Sequence, residues 1–283
     1  SDGTPSLEET VCKFWELETV PPATIVSPDD ALCEKLYSES HYRNEDGRYV
    51  VALPFKSNRR IFPTSRELAV QRFLWLEKRL QRNPELYQQY SAFMQEYLAL
   101  NHMELADVPS GDSSAFFYIP HHSVLKPDSL TTKLRVVFNG SASLPHQSSL
   151  NDHLYVGPKL QRDLISILLT FRLHKVVFVA DIKMMYRQIL ITLEHRDYQR
   201  IIWRFSPNEP LADFRLRTVT YGLASAPYLA IRTLLQLAND AGALFPSAAT
   251  ILQENTYVDD IVTGAPSLEA ARELKSQLIC LLK

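Results

Sequence analysis

The sequence predicts an α+β fold, and three observations carry that expectation. Apolar residues recur at helical spacing through 64–102, and again after Pro227 and after Pro266. From 113 onward, short apolar and β-branched runs alternate with helical stretches. The chain has 283 residues, 46% hydrophobic and 22% charged, the profile of a folded protein with a sizeable core.

Taken in order, residues 1–62 are rich in Pro, Ser, Asp and Glu, with one strand-like run at 49–53, and are expected to be an N-terminal linker or extension. Residues 63–112 are expected to form a helical pair. Thr64 and Glu67 make a capping box, and Ala69, Phe73, Leu76 and Leu80 share a helical face. Asn83-Pro84 breaks that pattern, and a second helix follows with Leu86, Tyr90, Phe93 and Tyr97 on one stripe, spaced for core packing. Residues 113–283 form the third region. There 116–119 and 134–138 are expected to pair as a hairpin joined through 126–129, and 160–174 reads as a helix. The continuous apolar run 176–180 is of the kind that forms a fully buried strand. Ile201-Ile202-Trp203 is a further strand, and 224–241 is a helix with Pro227 in its first turn, where a missing N–H costs little. Segment 255–264 reads as strand, tight turn, strand; Pro266-Ser267 then opens a last helix carrying Leu268, Ala271, Leu274, Leu278 and Leu281.

Composition excludes several classes of function. Cys12, Cys33 and Cys280 are odd in number and lack CxxC spacing, so neither a structural zinc site nor a disulfide framework is indicated. No apolar run approaches the roughly 18 residues of a membrane span, and no signal peptide is evident. The eight histidines contain no HExxH, and His121-His122 on a strand point to opposite faces, which makes them structural. A formal net charge of −2 does not mark a nucleic-acid binder, but its distribution allows one. Twelve Lys and Arg stand against six Asp and Glu between 114 and 204, enough for a basic cleft on a near-neutral protein.

The segment Tyr257-Val258-Asp259-Asp260 carries the chemistry. Two adjacent carboxylates at a tight turn repel each other, and a divalent cation reverses that repulsion. A third acid, Asp181, ends the apolar run 176–180, where a lone carboxylate is costly without a partner. If the sheet brings that strand beside the 257–262 hairpin, the three acids converge. They could then hold two metal ions roughly 3.5–4 Å apart, the arrangement used for in-line phosphoryl transfer.

With these residues the chain resembles the reverse transcriptases of LTR retrotransposons, most closely the BEL/Pao group. Four segments match in the family's order: Lys133 to Ala142, Phe178 to Tyr186, Val219 to Pro227, and Tyr257-Val258-Asp259-Asp260. Phe14-Trp15-Glu16, Gly47 to Val51, Tyr118 to His122 and Ser149-Leu150-Asn151-Asp152 point to BEL/Pao, and the resemblance covers nearly the whole chain. It implies a right-hand polymerase, with fingers above an antiparallel palm sheet backed by helices. The chain is expected to stop before the thumb, so the thumb is absent.

The resemblance also implies roles. Asp181, Asp259 and Asp260 would be the catalytic and metal-binding acids, holding two Mg²⁺, with Mn²⁺ as a substitute. Arg135 would contact the incoming triphosphate, with Lys126 and Lys133 as alternatives for a second contact. Tyr186 would be the steric gate that favours deoxynucleotides, and Tyr221-Gly222 the turn that grips the nascent pair and template. Asn139, where relatives often carry Asp, and Lys183 and Met184 depart from the family pattern. The implied activity is RNA-directed DNA polymerase, a nucleotidyltransferase, with an RNA or DNA template, a primer and dNTPs as partners and no membrane. Its implied setting is cytoplasmic, with virus-like particles as one location. A retrotransposon remnant that binds nucleic acid or other partners without catalysis is the competing expectation. A Mg²⁺-dependent nuclease or phosphatase would leave the gate and fingers segments unexplained.

Overall fold

Among the described residues, four small sheets are linked by helices through one shared core. The computed structural model describes residues 27–57, 62, 65–107, 116–125 and 134–283. Thr64 of the expected capping box, Lys126 and Lys133 lie outside the described residues.

The helical pair is Ser65–Gln81 and Pro84–Ala99. Asn83 starts the second helix by accepting from the Leu86 N–H, and Pro84 sits in the first turn. Ala69, Phe73, Leu76 and Leu80 are buried, as are Leu86, Tyr90 and Tyr97. Between them lies Trp203, stacked on Tyr90 at 5.3 Å and edge-on to Phe73 at 5.6 Å. Trp203 belongs to the strand Arg200–Trp203, which pairs with Ala212–Leu216, itself paired with Met103–Leu105. Truncating an aromatic in this cluster would cost about 3–5 kcal/mol.

Three expectations are corrected here. Leu134–Phe138 pairs with His121–Leu125, not with 116–119. The latter stretch instead runs beside Arg200: the Ile119 N–H donates to its carbonyl at 2.7 Å, and its own N–H donates to the Phe117 carbonyl at 3.0 Å. The buried Asp213 carboxylate explains the detour. It takes a two-pronged bond from Arg66 and a 2.5 Å bond from the Tyr118 hydroxyl, which pulls Tyr118 inward.

Residues 27–57, expected within a linker or extension, pack into the core. Ser27 caps the helix Pro28–Ser40, and Tyr49–Val51 lies between Tyr42–Arg43 and, in parallel, Leu190–Ile191. Tyr37 bonds Thr233 and Tyr49 bonds Asp240, both on the helix Ala226–Ala241. Only a fold that brings residues nearly two hundred apart together could reveal this.

The run Val176–Asp181 is a strand but not a fully buried one. It is an edge strand, ordered Thr256–Tyr257, Asp260–Ala265, Val176–Asp181, all antiparallel. Phe178 and Ala180 face the core, while Val177 and Val179 are 46% and 60% exposed. The helices Leu164–Phe171, Pro246–Glu254 and Leu268–Leu281 pack against this sheet, while the face carrying Val177 and Val179 is exposed. The helix before it is shorter than expected, Leu164–Phe171. His121 is the structural member of its pair: it is buried, accepts from Tyr90 at 2.5 Å on Nδ1 and donates from Nε2 to the Ile202 carbonyl, while His122 is exposed.

Candidate active site

The open face of the three-stranded sheet carries the acids. In its register Asp260 lies opposite Asp181, and Ile261 opposite Ala180. Opposed residues share a face in an antiparallel pair, so the two carboxylates belong to the exposed side. Asp259 occupies the turn, and its carbonyl accepts from the Ile182 N–H at 2.8 Å, which fastens the hairpin tip to the end of the edge strand. The turn itself is strained. Val258 has φ +57°, a left-handed backbone that β-branched residues rarely adopt and that glycine would hold without cost. Strain of this kind persists where surrounding contacts over-determine the turn, and Val258 packs against the core.

The acids act on one another electrostatically. Burial, then Asp259, then Asp260 push the Asp181 carboxyl above its ordinary range. None of the three acids forms an ion pair among the described residues. Among those residues no group of three or more His, Cys, Asp or Glu is gathered closely enough to hold a metal ion as it stands. The three candidate donors are carboxylates that repel each other, a chemistry that suits a hard, oxygen-preferring divalent cation.

Two tyrosines line the same region. Tyr186 is buried, and its ring centroid lies 4.2 Å from that of Tyr221, which is 44% exposed. Burial, then Tyr221 and Asp259, raise the Tyr186 phenol to about 12. The Tyr221 phenol is also raised, first by burial, then by Asp259, against a lowering by Arg187, with smaller effects from Asp181 and Arg135. One phenol thus senses both acidic segments and the arginine of Leu134–Phe138. Arg135 is exposed and lies opposite Val124 in its hairpin.

Gly222 explains why the Tyr221 turn stays put. Its φ is +94°, and a Cβ added there would lie 1.8 Å from the Phe138 carbonyl oxygen. Only glycine allows that approach. The sequence named Asn151 only as part of a resemblance, and the structure gives it a job. Its Nδ2 donates to the Gly222 carbonyl at 3.0 Å and to Ser141 Oγ at 2.8 Å, while its Oδ1 accepts from the Ala224 N–H at 2.9 Å. Asn151 is a positioning residue, clamping two segments far apart in the chain. An asparagine starting a short 3₁₀ turn carries no local signal of this; only the partners do.

With this geometry in hand, the chain can be set beside known proteins. By sequence it matches no protein-family profile and no curated protein. By structure it is similar to the prototype foamy virus protease–reverse transcriptase, a selenomethionine-labelled CSH mutant, with a TM-score of 0.56 and 13% identity. That alignment covers 99% of this chain and 30% of the foamy-virus chain. The fold is that of a retroviral-type reverse transcriptase. A looser match is the foamy viral protease–reverse transcriptase dRH in complex with double-stranded DNA, with a TM-score of 0.47, 16% identity, and 66% and 27% coverage of the two chains. This chain spans less than a third of either relative's length. Among the described residues no helix is long and apolar enough to cross a membrane.

Proposed function

We propose that this chain is the fingers and palm portion of a BEL/Pao-type retrotransposon reverse transcriptase, an RNA-directed DNA polymerase that adds dNTPs to a primer annealed to an RNA or DNA template. The observation that carries the proposal is the pairing of Asp181 with Asp260 on one open sheet face, with Asp259 bonded at the adjoining turn.

Asp181, Asp259 and Asp260 would hold the metal ions, whose positive charge would offset the mutual repulsion of the carboxylates. Bound Mg²⁺, or Mn²⁺ in its place, supplies Lewis-acid activation of the primer hydroxyl and charge neutralisation at the leaving pyrophosphate. Arg135 offers a planar, permanently charged fork to triphosphate oxygens, with Lys126 or Lys133 as a second contact. Tyr186, braced by Tyr221, occupies the space a ribose 2′-hydroxyl would need. Tyr221-Gly222 supports the nascent base pair, and Asn151 keeps that turn in place. The open sheet face, with Val177 and Val179 below the acids, leaves room for a duplex end.

Primer extension with Mg²⁺ and labelled dNTPs tests this. Incorporation by the wild-type chain should vanish with Asp259→Asn while the melting profile is kept. Equal incorporation by the two proteins would end the assignment.

A further inference from the structure

The edge strand Val176–Asp181 pairs on one side only, with Asp260–Ala265, and no described strand lies along its outer edge. Beside that edge a groove of about 450 Å³ reaches the flank of the Leu268–Leu281 helix. Its walls are largely apolar, and Val177, Val179, Leu268 and Ile279 are all exposed. Arg272 and Lys275 line the helical side, both exposed and neither in an ion pair among the described residues. Lys175, just before the strand, adds a third exposed cation. Among the described lining residues the one acid is Asp181, where the strand ends. An apolar strand edge left open recruits other chains, so folded proteins cover it with a helix or loop.

The cover that fits this groove is apolar on one side and acidic beside it. The chain carries such a segment ahead of Ser27, outside the described residues. Leu7, Val11, Phe14 and Trp15 recur at helical spacing, and Ser6 and Glu9 have the spacing of a capping box. Glu8, Glu9, Glu16 and Glu18 stand against Lys13 alone, so the segment is the electrostatic complement of the groove. A second copy of the groove is not, because it would set Arg272 and Lys275 against their own kind. The segment also has the reach. The Pro28–Ser40 helix packs on Ala226–Ala241 through Tyr37 and Thr233, and that helix packs on Leu268–Leu281. Two interaxial distances come to about 20 Å. The intervening residues 19–26, extended, span about 26 Å.

We propose that residues 7–18 of the same chain dock in this groove as an amphipathic helix. Val11, Phe14 and Trp15 lie against Val177, Val179 and Ile279, and Glu8 and Glu18 face Arg272 and Lys275. Apolar burial supplies the attraction, and the charges select this segment and its orientation. The proposal does not depend on the polymerase reading.

The chain's own tryptophans provide the test. It has three: Trp203 is buried, Trp75 is exposed, and Trp15 lies in the segment. In the full chain carrying Trp75→Phe, acrylamide quenching reads Trp15, while unquenched Trp203 reports that the fold is kept. Trp15 should be protected. Arg272→Glu with Lys275→Glu turns attraction into repulsion, and should lower the docked-to-free ratio read from Trp15 quenching by about fivefold or more. Ile279→Asp should do at least as much, because it sets a carboxylate in the apolar contact. Both changes fall on exposed side chains, which the fold tolerates. Adding Glu8→Lys and Glu18→Lys to the reversed groove should restore protection. Trp15 that is freely quenched in the starting chain, or protected equally in every groove variant, would overturn the proposal. So would a charge swap that restores nothing. Protection that fades on dilution would give the groove to a second copy and overturn the same-chain assignment. Primer extension plays no part in the readout, so loss of the polymerase reading leaves this result standing, and the converse holds.

Discussion

Replacing Gly222 by Ala tests whether the Tyr221-Gly222 turn is clamped against the neighbouring hairpin. Two costs can be separated. The first is conformational: at φ +94° an L-residue is disfavoured by roughly 1–2 kcal/mol. The second is steric, because the new Cβ would sit 1.8 Å from the Phe138 carbonyl oxygen and 3.0 Å from its carbon. A backbone carbonyl beside a strand cannot swing aside as a side-chain tip can, so the turn and the strand end must part. Forcing atoms into a packed site costs about 1–3 kcal/mol, which brings the sum to about 2–5 kcal/mol. That is a large share of the roughly 5–15 kcal/mol that holds a domain folded. Gly47 supplies the control. Its φ is +80°, and an added Cβ meets nothing within 4 Å, so Gly47→Ala carries the conformational cost alone. Urea unfolding of both variants, followed by far-ultraviolet circular dichroism at matched slopes, measures the difference. Gly222→Ala should lose at least about 1 kcal/mol more than Gly47→Ala. It should also lose primer extension, because parting the segments pulls Gly222 from Asn151 and displaces Tyr221. Equal losses in the two variants would refute the clamp.

Three further outcomes follow from the same contacts. His121 is fully enclosed, and burial holds it neutral by lowering its pKa to about 4; burial lowers the pKa of His102 to about 4 likewise. Between about 4 and the unfolded value near 6.5 the unfolded chain binds more protons, so stability is complete above that window and falls as pH drops through it. For the enclosed His121 that shift corresponds to on the order of 3 kcal/mol, and His121→Gln should reduce the acid sensitivity seen in urea midpoints across that window. Asn151→Ala removes three hydrogen bonds at a partly solvated site; it should cost about 1–3 kcal/mol by the same unfolding assay and slow extension even at saturating dNTP. Tyr186→Ala should raise ribonucleotide over deoxynucleotide incorporation roughly tenfold or more, measured as a ratio of kcat/KM values.

The elements were legible where the signal was local. Ala69, Phe73, Leu76 and Leu80 announce a helix whose buried face is the one observed, and Asn83 and Ser267 start their helices as their side chains demand. The hairpin around Asp259 and Asp260 was readable from its flanking apolar residues, whereas the turn at Gly222 was expected from the resemblance alone. Segment 116–119 was misread because its apolar pattern suits a hairpin strand; the deciding force is the buried Asp213 carboxylate, which draws Tyr118 from far along the chain. Val176–Asp181 was misread for a related reason. A continuous apolar run records what each residue tolerates, not whether a neighbouring element arrives to cover it.

The sequence by itself determined the helical pair, the last helix, the hairpin of Asp259 and Asp260 and where the three acids sit along the chain, because side-chain periodicity and backbone preference act over a few residues. Tertiary structure alone decided that Asp181 lies opposite Asp260 and that Asn151 ties the Gly222 turn to Ser141. Those facts depend on contacts between residues distant in the chain, whose register and coverage are set by how whole elements pack and by nothing written within either segment.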